Sequence, residues 1–196
     1  MKFNKDGTVK VMMPKVGVDA LRSHLLQSQA YLELGSGGST VLAAECNVPY
    51  VCAVETHKEW LEGVVSHIDK MSYTGTLNGV FVDIGPTGNC GRPVDKSMKD
   101  NWPAYQTMPY MNNTLYDLVL VDGRFRTASF CTAFLVNKPG TVVLFDDYVG
   151  RHAYHKVEQF AKPVEFFGRM AKFVIPEEFD RDVAKSIQQK SLYIYG

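Results

Sequence analysis

The segment Tyr31–Glu55, YLELGSGGSTVLAAECNVPYVCAVE, constrains the fold more than any other stretch of the chain. Its apolar start, Tyr31-Leu32-Glu33-Leu34, predicts a buried strand. The strand stops in Gly35-Ser36-Gly37-Gly38-Ser39-Thr40, a turn with too little side chain to keep a ligand off its backbone. Val41-Leu42-Ala43-Ala44 opens a helix with Ser39 or Thr40 as its N-cap, and the helix ends near Asn47 and Pro49. Tyr50-Val51-Cys52-Ala53-Val54 is a second apolar strand that delivers Glu55 at its carboxyl end. A carboxylate about 20 residues past the first glycine of such a unit can reach sugar hydroxyls held over the turn. The pyrophosphate-binding pattern G-x-G-x-x-G would need glycine where Thr40 stands.

The flanking segments extend this alternation. Before it, Val16, Ala20, Leu21, His24 and Leu25 fall at helical spacing behind Pro14, which predicts a helix from about 16 to 28 over the sheet edge, with His24 structural. After it, His57 to Asp69 reads as a crossover helix burying Trp60, Leu61, Val64, Val65 and Ile68, with His57 at its start near the ligand and His67 toward solvent. Leu77 to Ile84 is a third strand that places Asp83 near its carboxyl end. Residues 85–111 carry four prolines and three glycines with no sustained period, so they read as an insertion. Trp102, Tyr105, Met108, Tyr110 and Met111 argue against simple disorder and suit a lid, a substrate-recognition element or a dimer arm.

The chemistry falls in the second half. Tyr116 to Val121 is a nearly continuous apolar strand ending in Asp122-Gly123-Arg124-Phe125-Arg126. A helix over 127–136 leads to a strand, Thr141 to Phe145, that ends in Asp146-Asp147-Tyr148. Ligands of open α/β sheets sit at the carboxyl ends of the strands, so Gly35, Glu55, Asp83, Asp122 and the Asp146/Asp147 pair face one crevice. Three carboxylates on neighbouring strand ends repel one another unless a positive charge lies among them. A hard dication such as Mg²⁺ is one solution, and Arg124 or Arg126 is another. The arginine pair equally suits a carboxylate or phosphate on a substrate. A following helix puts His152 and His155 on one face, making His155 a candidate general base. The tail reads as a tight hairpin around Gly168-Arg169, a helix over 177–188, and an edge strand or subunit contact at Leu192 to Tyr195.

Glu33-x-Gly35-x-Gly37 followed by Glu55 resembles the first two motifs of the class I S-adenosylmethionine-dependent methyltransferases, with Ser39 at the position of the third glycine. The resemblance covers about residues 28 to 176. It implies an α/β fold of three Rossmann-like layers with a mostly parallel seven-stranded sheet and an antiparallel last strand. It implies that Glu33, Gly35, Ser36, Gly37, Gly38, Ser39 and Thr40 line the cofactor, that Glu55 holds its ribose, that Asp83 meets its adenine, and that Asp122 borders it. The segment VDG and the later PGTVVLFDDY resemble metal-dependent sugar O-methyltransferases of the macrocin type, which implies Asp122, Asp146 and Asp147 as Mg²⁺ ligands. That family has a further acid shortly after the DG turn, where this chain has Arg124 and Arg126. The implied activity is O-methylation of a small molecule; the alternative is a cofactor-binding module with no transferase activity.

Composition narrows the remaining classes. The 196 residues, 45% hydrophobic, can bury one core and predict a single domain over 1–196, with 1–28 as an N-terminal extension. Lys plus Arg equals Asp plus Glu at 21 each, so neither nucleic acid nor an anionic membrane is expected as a partner. No apolar run has the length of a membrane span, and Met1 to Asp6 leads into no signal-peptide core, which points to the cytoplasm. Cys46, Cys52, Cys90 and Cys131 form no C-x-x-C pair and read as reduced thiols.

Overall fold

The computed structural model describes residues 9–196, so the signal-peptide reading at Met1–Asp6 lies outside the described residues. Seven strands make one sheet: β1 (Ala30–Leu34), β2 (Tyr50–Glu55), β3 (Thr76–Phe81), β4 (Leu118–Val121), β5 (Val142–Phe145), β6 (Glu165–Phe167) and β7 (Met170–Val174). Their order is β3-β2-β1-β4-β5-β7-β6. The first five are parallel, β7 runs antiparallel to β5, and β6 runs antiparallel to β7. The chain therefore changes direction across the sheet between β1 and β4, the place where α/β sheets open a crevice. Leu34 stands opposite both Val54 and Val121, which brings the ends of β1, β2 and β4 level.

Two apolar layers cover the sheet. On one face α1 (Lys15–Leu25) and α2 (Gly38–Glu45) pack Leu21, Leu25, Leu42 and Ala43 on Tyr31, Val51, Leu118, Leu120 and Leu144. On the other, α5 (Arg126–Val136) and α6 (Arg181–Ser191) pack Phe130, Cys131, Phe134 and Ile187 over Leu32, Val54, Val119, Val143 and Phe145. Tyr31 and Leu32 go to opposite layers because consecutive strand residues point to opposite faces. No helix of the described residues is long and apolar enough to cross a membrane.

Several boundaries differ from the sequence expectation for local reasons. Helix α1 ends at Leu25, and Val16 is exposed while Gly17 is buried against Met170. In α3 (Lys58–Ile68) Leu61, Val64 and Ile68 face inward as expected, but Trp60 lies at the surface because its indole N–H donates to the Ser36 carbonyl at 2.9 Å. His67 is half-buried rather than facing solvent. Strand β3 stops at Phe81, leaving Asp83 in the loop beyond it. Residues His152–Gln159 wind as a 3-10 helix.

The 85–111 segment divides in two. Pro103 and Pro109 start α4 (Ala104–Thr107) and the 3-10 turn Met108–Tyr110, where a fixed φ suits a helical start. These turns bury Trp102, Tyr105 and Tyr110, and the Trp102 indole donates to the Ile84 carbonyl at 3.0 Å. This half is part of the core layer rather than a lid. The preceding stretch is largely exposed, Val94 included. The tail forms no edge strand: Tyr195 meets the Trp102 ring edge-on at 5.6 Å, and the Lys99 ammonium lies 4.6 Å over Tyr193.

Truncating Trp102 to alanine removes a fully buried ring and should cost about 3–5 kcal/mol, whereas Val94→Ala should stay within about 0.5 kcal/mol; urea unfolding of the two variants measures the contrast.

Candidate functional site

The glycine turn is fastened from below and above. Glu33 is completely buried beneath it and accepts the Ser39 hydroxyl and, at 2.7 Å, the Thr40 hydroxyl. Thr40 Oγ1 in turn accepts the Gly37 N–H at 2.9 Å. Gly37, not Ser39 or Thr40, is therefore the N-cap of α2; a buried carboxylate demands donors, and the two hydroxyls turn inward to supply them. Burial pushes the Glu33 carboxyl up to about 8 despite those two bonds, with Asp122 and Glu55 adding to the rise. Glu33 is thus largely protonated at neutral pH and supports the turn from outside the crevice.

The turn is shaped by close approach. Gly35 has φ +108°, and a Cβ there would lie 2.6 Å from the Gly123 Cα. The turns after β1 and β4 touch backbone to backbone. At Gly38 a Cβ would stand 2.5 Å from the Lys10 carbonyl, so the incoming N-terminal segment passes directly over the start of α2.

Glu55 spans the gap between β2 and the turn. One carboxylate oxygen accepts both the amide and the hydroxyl of Ser36 at 3.2 Å; the other accepts the Thr56 and His57 amides at 2.7 and 3.1 Å. It is held in place by backbone donors and by two hydroxyls, those of Ser36 and, at 3.3 Å, Thr56. His57 is the N-cap of α3, its Nδ1 accepting from the Trp60 amide at 3.3 Å. Asp83 is exposed and accepts the Gly85 amide at 2.9 Å.

The structure brings Asp122, Asp146 and Asp147 together, with ligand oxygens within 4.8 Å of one another. It also packs three guanidinium groups among them. Arg126, almost fully buried, reaches Asp122 Oδ1 at 2.9 Å and Asp147 Oδ2 at 3.2 Å and donates to the Asp122 and Asp146 carbonyls at 2.6 and 2.7 Å. Arg169 reaches Asp146 Oδ2 at 2.7 Å and Asp147 Oδ1 at 3.0 Å, and Arg151 reaches Asp147 Oδ2 at 2.7 Å. Three positive charges already face three negative ones. A dication would have to displace guanidiniums that carbonyls also hold, including Met12 O on Arg169, so these residues do not fit a Mg²⁺ site. Burial pushes the Asp122 carboxyl up to about 7 against the pull of Arg126, with Asp146 and Asp147 adding to the rise.

His155 is not among the carboxylates. Its ring stacks on Tyr148 at 4.7 Å, meets His152 at 5.1 Å, and its Nε2 lies 3.0 Å from the Tyr148 carbonyl. A carbonyl only accepts, so Nε2 carries the proton and Nδ1 the lone pair. Sequence reasoning missed Arg169, which sits on a hairpin turn more than 20 residues from the acids it meets, and Arg151, which pairs with Asp147 four residues before it at the start of a 3-10 helix. Tyr105 stood out in the sequence only as an aromatic of the insertion; its buried hydroxyl lies against Gly123, where an added Cβ would come within 2.0 Å of it.

Comparison with solved structures gives a methyltransferase-like protein from Silicibacter pomeroyi, 30% identical, covering 95% of this chain and 98% of the other at a TM-score of 0.86. The O-methyltransferase TomG from Streptomyces achromogenes, solved with S-adenosylmethionine, matches at 17% identity, 83% and 79% coverage and a TM-score of 0.55. A Bacillus cereus O-methyltransferase solved with S-adenosylhomocysteine matches at 14% identity, 83% and 80% coverage and 0.53. The last two share the fold. No family model and no curated protein sequence matches the chain.

Glu33 gives a pH signature. Its folded value of about 8 lies above the unfolded value of 4.5, so its contribution is fully present below pH 4.5 and is lost as pH rises through 8. Glu33→Gln should match the parent near pH 4.5 and exceed it by on the order of 4 kcal/mol at pH 8 and above, measured by denaturant unfolding across that range.

Proposed function

We infer that this chain, which belongs to the methyltransferase-like family and has the class I fold, transfers a methyl group from S-adenosylmethionine to an oxygen of a small molecule without a metal ion. One observation carries the reading: Glu55 and the glycine turn end level on adjacent strands, and the Glu55 carboxylate reaches across to Ser36. A carboxylate there can take two ribose hydroxyls once the Ser36 hydroxyl swings away, while Gly35, Ser36, Gly37 and Gly38 present backbone to the amino-acid tail. Asp83 stands at the adenine end, and Glu33, Ser39 and Thr40 hold the turn from beneath.

When bound, S-adenosylmethionine supplies a methyl group on a positively charged sulfur and leaves as the neutral thioether. The protein's part is to position the acceptor and to receive its proton. Asp122 suits that role: it borders the Gly35–Gly123 contact, and a carboxyl near 7 takes a proton at neutral pH. Arg126 holds its orientation at 2.9 Å. His155, whose Nδ1 carries the lone pair, is the second candidate base. The equal count of 21 acidic and 21 basic residues supports a small acceptor over RNA, which demands excess positive charge. A second reading, a module that binds the cofactor but moves no methyl group, draws on Arg124 standing where the resembled enzymes have an acid.

S-adenosylhomocysteine at 100 times its dissociation constant should stabilise the protein by about 2.7 kcal/mol in thermal unfolding, with NAD and Mg²⁺ giving no shift. Glu55→Ala should weaken that binding by about 2 kcal/mol; an unchanged affinity sinks the ribose assignment. With an acceptor in hand, turnover should survive EDTA and should fall as pH drops through about 7, where Asp122 takes up its proton. Asp122→Asn should abolish that dependence, whereas its survival there and loss in His155→Ala would move the base to the histidine. A broad acceptor screen that never releases S-adenosylhomocysteine, despite tight binding, would favour the module.

A further inference from the structure

Arg22, Arg126, Arg151, Arg169 and Arg181 each have a carboxylate or a carbonyl as partner. Arg92 and Arg124 have none among the described residues, and the charge of Arg92 is felt at Arg124. Arg124 follows Asp122-Gly123 directly, is half-buried, and its Nε is shut off from solvent with no acceptor. An orphaned buried guanidinium N–H costs about 1–3 kcal/mol, so its persistence points to a partner that arrives from outside. Arg92 is exposed at the end of the turn Asn89–Gly91, and that turn sits on the crevice: the Thr56 hydroxyl donates to the Gly91 carbonyl at 3.4 Å, and a Cβ on Gly91 would lie 3.6 Å from Glu55 Oε1. Gly196 lies on another side, where an added Cβ would come within 3.2 Å of Arg124 Nη1.

We propose that Arg124 and Arg92 form an oxyanion-binding subsite beside Glu55, which receives a carboxylate or phosphate carried by the methyl acceptor. That the anion belongs to the acceptor rests on the methyl-transfer reading; the anion site itself does not. The local field agrees. Burial first, then the positive charges of Arg126 and Arg92, hold the Arg124 guanidinium below its usual value, opposed only by Tyr105 and the Cys90 thiol. Arg126 cannot serve an incoming anion, since Asp122 and Asp147 already hold it. Planar guanidinium forks match carboxylate and phosphate oxygens in pairs.

The test follows the side-chain N–H signal of Arg124 in protein labelled with nitrogen-15 arginine, identified by its loss in Arg124→Lys. Titration with inorganic phosphate, and separately with acetate, should move that signal to saturation, and the tighter of the two names the anion. Arg92→Ala, an exposed change that leaves the fold intact, should weaken the response about five- to tenfold. No movement, or a non-saturating drift matched by sodium chloride at equal ionic strength, overturns the site. Phosphate saturation without any thermal shift from S-adenosylhomocysteine would keep the subsite and remove the methyl-transfer reading. The reverse result would remove the subsite alone. Where an acceptor is found, its methyl ester or amide should lose at least tenfold in kcat/KM against the free acid, and equal turnover of the two would show that the anion is not the acceptor's.

Discussion

Gly35 and Gly123 meet backbone to backbone at the ends of β1 and β4, and the geometry of the crevice depends on that contact. A Cβ on Gly35 would overlap the Gly123 backbone, and one on Gly123 would overlap the Leu34 carbonyl at 2.8 Å. Either change would push apart two central strands whose register sets Gly35 and Asp122 level. Because β1 and β4 flank the point where strand order reverses, their loops lead to opposite faces of the sheet. The floor between them is then plain backbone, with functional side chains only at its margins: Glu55 at the end of β2, Asp122 after β4, and Asp146 and Asp147 after β5. Tyr105 completes that floor from the other layer.

The margin is densely charged yet close to neutral. Burying Asp146 completely is tolerable only because Arg169 pairs with it and Arg126 holds its carbonyl. The same two arginines reach Asp147, so one network ties β4, β5 and the β6–β7 hairpin together. Glu33, which has hydroxyl partners but no cation, takes the other route and keeps its proton. Two neighbouring sets of acids thus meet the cost of burial by different means, one by ion pairing and one by neutralisation. A metal would be a third means, and the arginines leave it no charge to balance.

Most of the fold was legible because its signals are local and repeated: apolar runs at β1, β2, β4 and β5, each followed by glycine or acid, identify a parallel sheet and the edge at which a ligand binds. Glu55, Asp122, Asp146 and Asp147 came out at that edge as expected. What stayed hidden depends on partners distant in sequence. Trp60 has the spacing of a core residue and goes to the surface for one hydrogen bond to Ser36. Ser39 and Thr40 look like caps until the carboxylate of Glu33 lies beneath them. The segment 102–111 lacks helical periodicity because its turns are only three or four residues long, yet its aromatics fill the layer beside α5. Arg169, more than 20 residues from the acids it neutralises, had no local signature at all.

Backbone conformation shows where the sequence departs from its easiest path. Phe125 and Asp147 both lie in the left-handed region, at φ +52° and +58°, which for a side chain as bulky as phenylalanine costs about 1–2 kcal/mol. These two residues bracket Arg126 in space: Phe125 precedes it as the N-cap of α5, and Asp147 receives its guanidinium. With Phe125 in the helical region the chain would enter α5 on a different path, and Arg126 would leave the strand ends. The strain therefore serves to bring one buried cation to three strand-end acids. Arg124, one residue before the bend, has no acid of its own among the described residues, so the arrangement that cancels charge at Arg126 leaves it uncancelled next door.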